Sequence, residues 1–167
     1  SIPFDVDSIE SAHRVLLSLC ETVGARLRAD HMEASCIAVS LVDFEFNHSS
    51  KQMTLLKTTC YTQEIYEHAC EVFEKLWDHH TPIRQLGVHT TKLADSRIHQ
   101  VSLFEQTQSS LEKQKKLAKL DVAIDAIRSK YGEDAIKRAT FLNGNIEHMS
   151  GGISKEKKGW NHKGSVT

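Results

Sequence analysis

Apolar positions along the first part of the chain alternate between two spacings, and each change of spacing marks an element. Ile2, Phe4 and Val6 stand two apart, as in a short strand, although Pro3 removes one ladder donor. From Ile9 the interval becomes three and four. Ile9, Ala12, Leu16, Cys20, Val23 and Leu27 line one face of a helix reaching Ala29 or Asp30, and Asp7 with Glu10 supplies a capping-box pattern at its start. Between Cys36 and Phe46 the period returns to two, with Ile37, Val39 and Leu41 facing one way and Cys36, Ala38, Ser40 and Val42 the other. Asn47, His48, Ser49 and Ser50 read as a turn, and Lys51 to Tyr61 as the returning strand of a hairpin. Thr62 is placed as the N-cap of a second helix whose apolar face is Ile65, Ala69, Val72, Phe73, Leu76 and Trp77, ending before Pro82. Ile83 to Leu93 is the last strand, with Leu86 and Val88 inward and Gln85, His89 and Thr91 outward.

This order predicts an α+β fold: a split β-α-β-β-α-β unit with a four-stranded antiparallel sheet and both helices on one face, followed by a helical C-terminal extension. One sheet face is then open. Its candidate residues are Ala38, Ser40, Lys51, Gln52, Thr54, Lys57, Gln85 and His89, which are small, polar or basic. Large aromatics are absent from this set, which argues against a base-stacking platform. The helices take most of the acids, namely Glu10, Glu21, Asp30, Glu64, Glu67, Glu71, Glu74 and Asp78. The simpler account of the open-face residues is a solvated sheet surface.

Beyond residue 108 the chain reads as a helix from Ser109 to Tyr131, with Leu117, Leu120, Ile124, Ile127 and Tyr131 as its stripe and Gly132 as its stop. Glu133 to Phe141 could add a further turn or two. From Asn143 the Gly, Ser and Lys content predicts an extended tail. Lys113, Lys115, Lys116 and Lys119 are most simply a solvated helix face. The expected organisation is therefore 1–97 as one domain, 98–110 as a linker, 111–142 as the helical extension and 143–167 as a flexible polar tail. Within the linker Leu103 and Phe104 stand among polar neighbours with no period to place them in a core. The run Gln100, Val101, Ser102, Leu103, Phe104 either covers its own domain or enters a partner's pocket. Burial of both side chains is worth on the order of 3–6 kcal/mol before ordering costs, enough for a micromolar contact.

Charge sharpens the division. The net charge is −1 over the whole chain, yet residues 1–99 hold nine basic against fourteen acidic side chains and residues 100–167 hold twelve against eight. Bulk charge therefore gives no case for nucleic-acid binding by the first part; only the distribution could. No apolar run approaches the roughly 20 residues a bilayer span requires. Ser1 to Ile9 lacks the pattern of a signal peptide, and Cys20, Cys36, Cys60 and Cys70 lie scattered in apolar stretches, so a cytoplasmic setting with reduced thiols is expected. Histidine and cysteine never form two close ligand pairs of zinc spacing, so no metal site is expected, and His79 with His80 suits a helix C-terminus.

Several of these segments resemble a known family. Ala25-Arg26-Leu27-Arg28, the strand with Asp43-Phe44, the strand with Thr54-Leu55, and above all Pro82-Ile83-Arg84-Gln85-Leu86-Gly87-Val88 are similar to the little-finger domain of Y-family (ImpB/MucB/SamB-type) translesion DNA polymerases. Leu120-Asp121, Ala123-Ile124-Asp125, Ile127-Arg128, Lys130-Tyr131-Gly132 and Ala135-Ile136 with Arg138-Ala139 resemble the C-terminal tail of bacterial members of the DNA polymerase IV or V type. The resemblance covers about Ile2 to Leu142. It implies that the open sheet face grips the phosphates of primer-template duplex without reading sequence. Arg84 is then the foremost contact, followed by Gln85 and His89, with Lys51, Gln52, Thr54, Lys57 and Ser40 on the same face. Members often carry further basic residues where Gln85 and His89 stand, so weak DNA binding by the isolated chain is implied. In the family topology the first strand is central, and Ser1 to Val6 is expected to supply a shortened version of it.

The same resemblance makes Gln100 to Phe104 similar to the bacterial sliding-clamp-binding motif, Leu103 and Phe104 filling an apolar pocket and the Gln100 amide bonding at its rim. Val101 replaces a leucine. The family's two-metal chemistry belongs to a palm domain upstream, where Mg is expected, alongside fingers and thumb domains. Asp5, Asp7, Asp43 and Glu45 have simpler readings as cap and solvated residues, so no catalytic residue and no cofactor is assigned to this chain. A stand-alone protein-interaction module using the open sheet face is the competing account. A small ferredoxin-like enzyme is disfavoured, because no nucleophile, base and orienting residue fall in one motif.

Overall fold

A computed structural model describes residues 2–6, 8–95 and 108–138, with side chains from residues 8–95 and 111–138. The elements are β1 (Ile2–Val6), α1 (Ile9–Ala29), β2 (Met32–Asp43), β3 (His48–Thr59), α2 (Thr62–Leu76), β4 (Ile83–Asp95) and α3 (Gln108–Tyr131). The class is α+β, three helices with an antiparallel sheet. The long strands β4, β2 and β3 form its body, with β2 in the middle: Val39 faces Val88 on one side and Lys51 on the other. β1 runs antiparallel to β4, with Ile2 opposite Leu86 and Val6 opposite Ile83, so the strand order is β1-β4-β2-β3. The expected central position of the first strand is thus corrected. β2 occupies one side of β4 over nearly its full length, and only the outer edge of β4 is left for β1.

The inward-pointing set Ile37, Val39, Leu41, Leu86 and Val88 shares one core with Leu16, Leu19 and Cys20 of α1 and Ile65, Ala69, Val72 and Phe73 of α2. Both helices therefore cover the same sheet face. Trp77 closes the end of this core, stacked on Phe73 at 5.5 Å between ring centroids, its Nε1–H donating to the Thr81 carbonyl at 2.8 Å. The cysteines are free thiols, Cys20 and Cys36 buried and Cys60 and Cys70 half-buried. Burial pushes the Cys60 thiol up to about 11.

Three local expectations are revised. α1 is capped one residue later than the Asp7 pattern implied: the Ser8 hydroxyl accepts from the Ser11 N–H at 3.1 Å. The turn between β2 and β3 lies earlier than Asn47–Ser50. Asp43 Oδ1 accepts the N–H groups of Glu45 and Asn47 at 2.8 and 2.9 Å, an Asx-type turn that ends β2 at Asp43 and leaves Phe44 and Phe46 outside the strand. These donors, the Asn47 N–H foremost, hold the Asp43 carboxyl below its ordinary value. Residues 133–138 form turns and bends rather than more helix, and the rest of the expected stretch to Phe141 lies outside the described residues; the Gly132 N–H closes α3 on the Arg128 carbonyl at 2.9 Å with φ +104.

The fourth revision concerns how α3 is held. Its predicted stripe holds in part: Ile124 is buried and Leu117 and Ile127 are half-buried, but Leu120 and Tyr131 are exposed and Asp121 takes a buried place on that side. Thr62 is not an N-cap but the first residue of α2, and the preceding Tyr61 makes no side-chain cap. Asp121 of α3 does that work from a distance of 59 residues, its Oδ2 accepting the Thr62 N–H at 3.0 Å. The same carboxylate pairs with Arg28 Nη1 at 3.1 Å, while Asp125 takes Arg28 Nε at 2.6 Å and Nη2 at 3.0 Å. Arg28 Nη1 also donates to the Cys60 carbonyl at 2.8 Å. Burial opposes the charge on Arg28, but Asp125 and Asp121 hold its pKa above the ordinary value. Burial also raises the Asp121 carboxyl, against the pull of Arg28 and the Thr62 N–H. A second buried carboxylate, Glu21, binds Arg128 at 3.2 Å and Arg138. The extension is thus fastened to the helical side of the domain, away from the open sheet face.

Candidate nucleic-acid interface

Register alone decides which side chains share the uncovered face. Ala38, Ser40 and Val42 of β2, all half-buried, alternate with the buried Ile37, Val39 and Leu41, and Cys36 at the end of their row is itself buried. Opposite them stand Thr54, Gln52, Ser50 and His48 on β3, and Thr91, His89, Gly87 and Gln85 on β4. Ser40, Gln52, Thr54, Gln85 and His89 are therefore brought together as the sequence suggested. Lys51 is not: it lies opposite Val39, whose side chain is in the core, so it shares the helix-covered side at the sheet edge. Adjacent strand residues point to opposite faces, so Lys51 and Gln52 could never have served one surface. Lys57 falls between Thr54 and Thr59, where β3 bulges and the ladder is broken.

Arg84 occupies a similar irregularity in β4, between Ile83 opposite Asp43 and Gln85 opposite Val42. Its guanidinium carbon sits 4.8 Å from the centroid of the Phe46 ring. Phe46 has φ +64 at the hairpin tip, and the tip is tied to the start of β4 by the Phe44 N–H and the Pro82 carbonyl at 3.2 Å. Arg84 is thus a rim residue at the hairpin end, half-engaged by a cation–π contact. The exposed Phe44 and Phe46 also qualify the expectation that no large aromatic lies near this surface: two flank it, on the loop rather than on the strands.

At that end the face is hollowed into a concavity of about 440 Å³, whose walls include Ser40, His48, Ser49, Ser50, Gln85 and His89. Gly87 lies between Gln85 and His89 on this face and lacks a side chain, which leaves the floor at backbone level. Ser40 Oγ and His89 Nε2 are 3.4 Å apart. The arrangement offers hydroxyls, an amide and two exposed imidazoles to a ligand, a donor-rich surface suited to phosphate oxygens. His48 and Ser50 were missed in the sequence because the turn was drawn over them; the Asp43-x-x-x-Asn47 pattern was the available signal. Among the described residues no group of three or more His, Cys, Asp or Glu converges as a metal site. Gln100, Val101, Ser102, Leu103 and Phe104 lie outside the described residues.

The impB/mucB/samB family C-terminal domain matches residues 1–103. The chain belongs to that family. It is similar, at 30 % identity over 142 residues, to a protein named DNA polymerase IV from Clostridium acetobutylicum, covering 85 % of this chain and 34 % of the relative. It is also 33 % identical over 147 residues to DNA polymerase IV 2 of Halalkalibacterium halodurans, with 86 % and 34 % covered. A third relative, the DNA polymerase IV of Acetivibrio thermocellus, is 33 % identical over 141 residues, with 84 % and 34 % covered. The impB/mucB/samB domain described above is thus a Y-family polymerase C-terminal region, and the chain spans about a third of the length of these curated relatives. Alignments that take in about 85 % of the chain extend beyond the matched domain and include α3. Among the described residues no helix is long and apolar enough to cross a membrane.

Proposed function

We propose that this chain is the DNA-gripping and clamp-tethering region of a Y-family DNA polymerase that acts in translesion synthesis and DNA repair in the cytoplasm. The observation that carries the reading is the uncovered, donor-rich sheet face of an impB/mucB/samB domain whose described helices lie on the other side, α1 and α2 through the core and α3 through its ion pairs to them. That face lies along the backbone of primer-template duplex and holds it without sequence preference, because serine, threonine, glutamine and histidine reach phosphates while no phenylalanine, tyrosine or tryptophan stands on β2, β3 or β4. Arg84 steers the duplex at the hairpin rim. The four-stranded split β-α-β-β-α-β unit is part of this reading, supported by the pairing of β1 with β4.

Gln100 to Phe104 tethers the polymerase to the bacterial sliding clamp, with Leu103 and Phe104 as apolar anchors. Nucleotide addition, with its Mg ions, belongs to the palm, working with fingers and thumb in the parent chain; this region is without catalytic residues of its own. The test is calorimetric binding of the chain to a bacterial sliding clamp beside a Leu103→Ala, Phe104→Ala double variant, with duplex binding at two salt concentrations. Micromolar clamp binding that the double variant loses, and duplex affinity that falls with salt, are the expected results. Absence of clamp binding, with a double variant that instead unfolds more readily, would assign those side chains to the domain's own core.

A further inference from the structure

The face proposed to hold duplex carries almost no permanent positive charge. Lys51 is turned to the other side of the sheet, Lys57 lies in the bulge of β3, and the Arg84 guanidinium rests on Phe46 at the rim. Among the described residues that register places on the open face, the basic ones are His48 on β3 and His89 on β4, and both line the concavity. We propose that these two imidazoles act as a proton-dependent grip: protonated, they hold phosphates of the duplex; neutral, they release most of the electrostatic attraction. The proposal rests on the DNA-binding reading and specifies its regulation.

No charged side chain stands directly opposite either ring on the neighbouring strand. On β2, His89 faces Ala38 and the Ser40 hydroxyl; on its own strand its same-face neighbours are Gly87 and Thr91. None of these is charged. His48 faces Val42 and has Ser50 as its same-face neighbour. The carboxylates near it are those of the hairpin tip, and they have other partners: Asp43 is bonded by the N–H groups of Glu45 and Asn47, and Glu45 by the Asn47 amide at 3.3 Å. Arg84 is held at that end on the Phe46 ring, and Asp78, whose charge acts on Asp43, is bonded by the Thr81 hydroxyl and the His80 and Thr81 N–H groups. α1 and α2 pack on the opposite face and contribute nothing here. An imidazole without a carboxylate partner changes charge between about pH 5 and 8, and a phosphate oxygen at hydrogen-bond distance favours its charged form. Duplex binding is therefore coupled to proton uptake. A second consequence concerns salt, since each phosphate neutralised adds about 0.9 to the slope of log K against log salt.

The experiment is fluorescence anisotropy of a labelled 20-base-pair duplex with the 167-residue chain at pH 6 and pH 8, across a salt series, for the native sequence, His48→Gln/His89→Gln and His48→Arg/His89→Arg. The native chain is expected to bind about tenfold more tightly at pH 6, with a slope steeper by roughly 1.5. The glutamine variant should match native behaviour at pH 8 at both pH values. The arginine variant should bind at pH 8 as the native chain does at pH 6, which a merely structural role for the histidines would not produce. Native binding that is independent of pH, or a pH response that survives in the glutamine variant, overturns the proton-dependent grip and leaves duplex binding standing. No binding by any of the three at either pH removes the underlying DNA-binding reading with it.

Discussion

Replacing Asp121 by alanine should destabilise the whole domain, not just the extension that carries it. The carboxylate caps the start of a helix that begins 59 residues earlier in the chain and neutralises an arginine from a third element. Loss of a helix cap costs about 1 kcal/mol. Removing one partner of a buried ion pair costs about 3–5 kcal/mol when the other charge is left alone. Here Arg28 keeps both bonds to Asp125 and one to the Cys60 carbonyl, so the lower end applies or less. The sum expected is about 3 kcal/mol, or a fall in Tm of about 6–12 °C for a chain of this size. Urea unfolding in a Trp160→Phe background, read by Trp77 fluorescence and far-ultraviolet circular dichroism, measures it. Trp77 sits 7 % exposed in the core between sheet and helices, so its signal reports the domain and not α3. Asp121→Asn, which keeps an oxygen for the Thr62 N–H, should lose about half as much. A stability within about 0.5 kcal/mol of native for the alanine variant, or a loss of helicity with the tryptophan transition unmoved, would refute the reasoning.

The same junction predicts that Gly24→Ala is unfavourable despite lying inside α1. A Cβ there would come within 2.8 Å of Thr62 Oγ1 and 2.9 Å of Arg28 Nη1, and neither is free to move; a net loss of about 1 kcal/mol by urea unfolding is expected after the gain in helix propensity of about 1 kcal/mol. Asp78 is held at about 2 by the Thr81 hydroxyl, then by the His80 and Thr81 N–H groups. With an unfolded value of about 3.9, its contribution is present above that pH and lost as pH falls towards 2, so Asp78→Asn should flatten the acid limb of a stability profile between those values. Lys51→Ala should leave duplex affinity within about twofold at both pH 6 and pH 8 in the anisotropy assay, because the lysine stands on the helix side of the sheet edge.

Element type was legible wherever the period was strong. Ile37, Val39 and Leu41 against Ala38, Ser40 and Val42 gave the orientation of β2 without further help, and the structure keeps it. The errors fall where one local choice is made between near-equal alternatives. Asn47-His48-Ser49-Ser50 and Asp43-Phe44-Glu45-Phe46-Asn47 are both good turn sequences; the second wins because the Asp43 side chain can accept two backbone N–H groups while the hairpin closes. That small displacement adds His48 and Ser50 to the strand and, through the register, to the candidate interface.

The position of α3 was hidden for a different reason. Periodicity ranks residues by hydrophobicity, so it chose Leu120 and Tyr131 for the buried side and passed over Asp121 and Asp125. Yet two aspartates four apart present one face of a helix, and Arg28 stands close by on α1. The free energy that fixes this helix comes from satisfying a buried guanidinium and an uncapped N–H, neither of which a hydropathy pattern can register. The anchoring has a functional corollary. Asp121, Asp125, Arg128 and Arg138 of the extension are spent on Arg28 and Glu21 on the helical side of the domain, so these four charges cannot supplement the few on the sheet face, and the proposed grip on duplex would draw nothing from them.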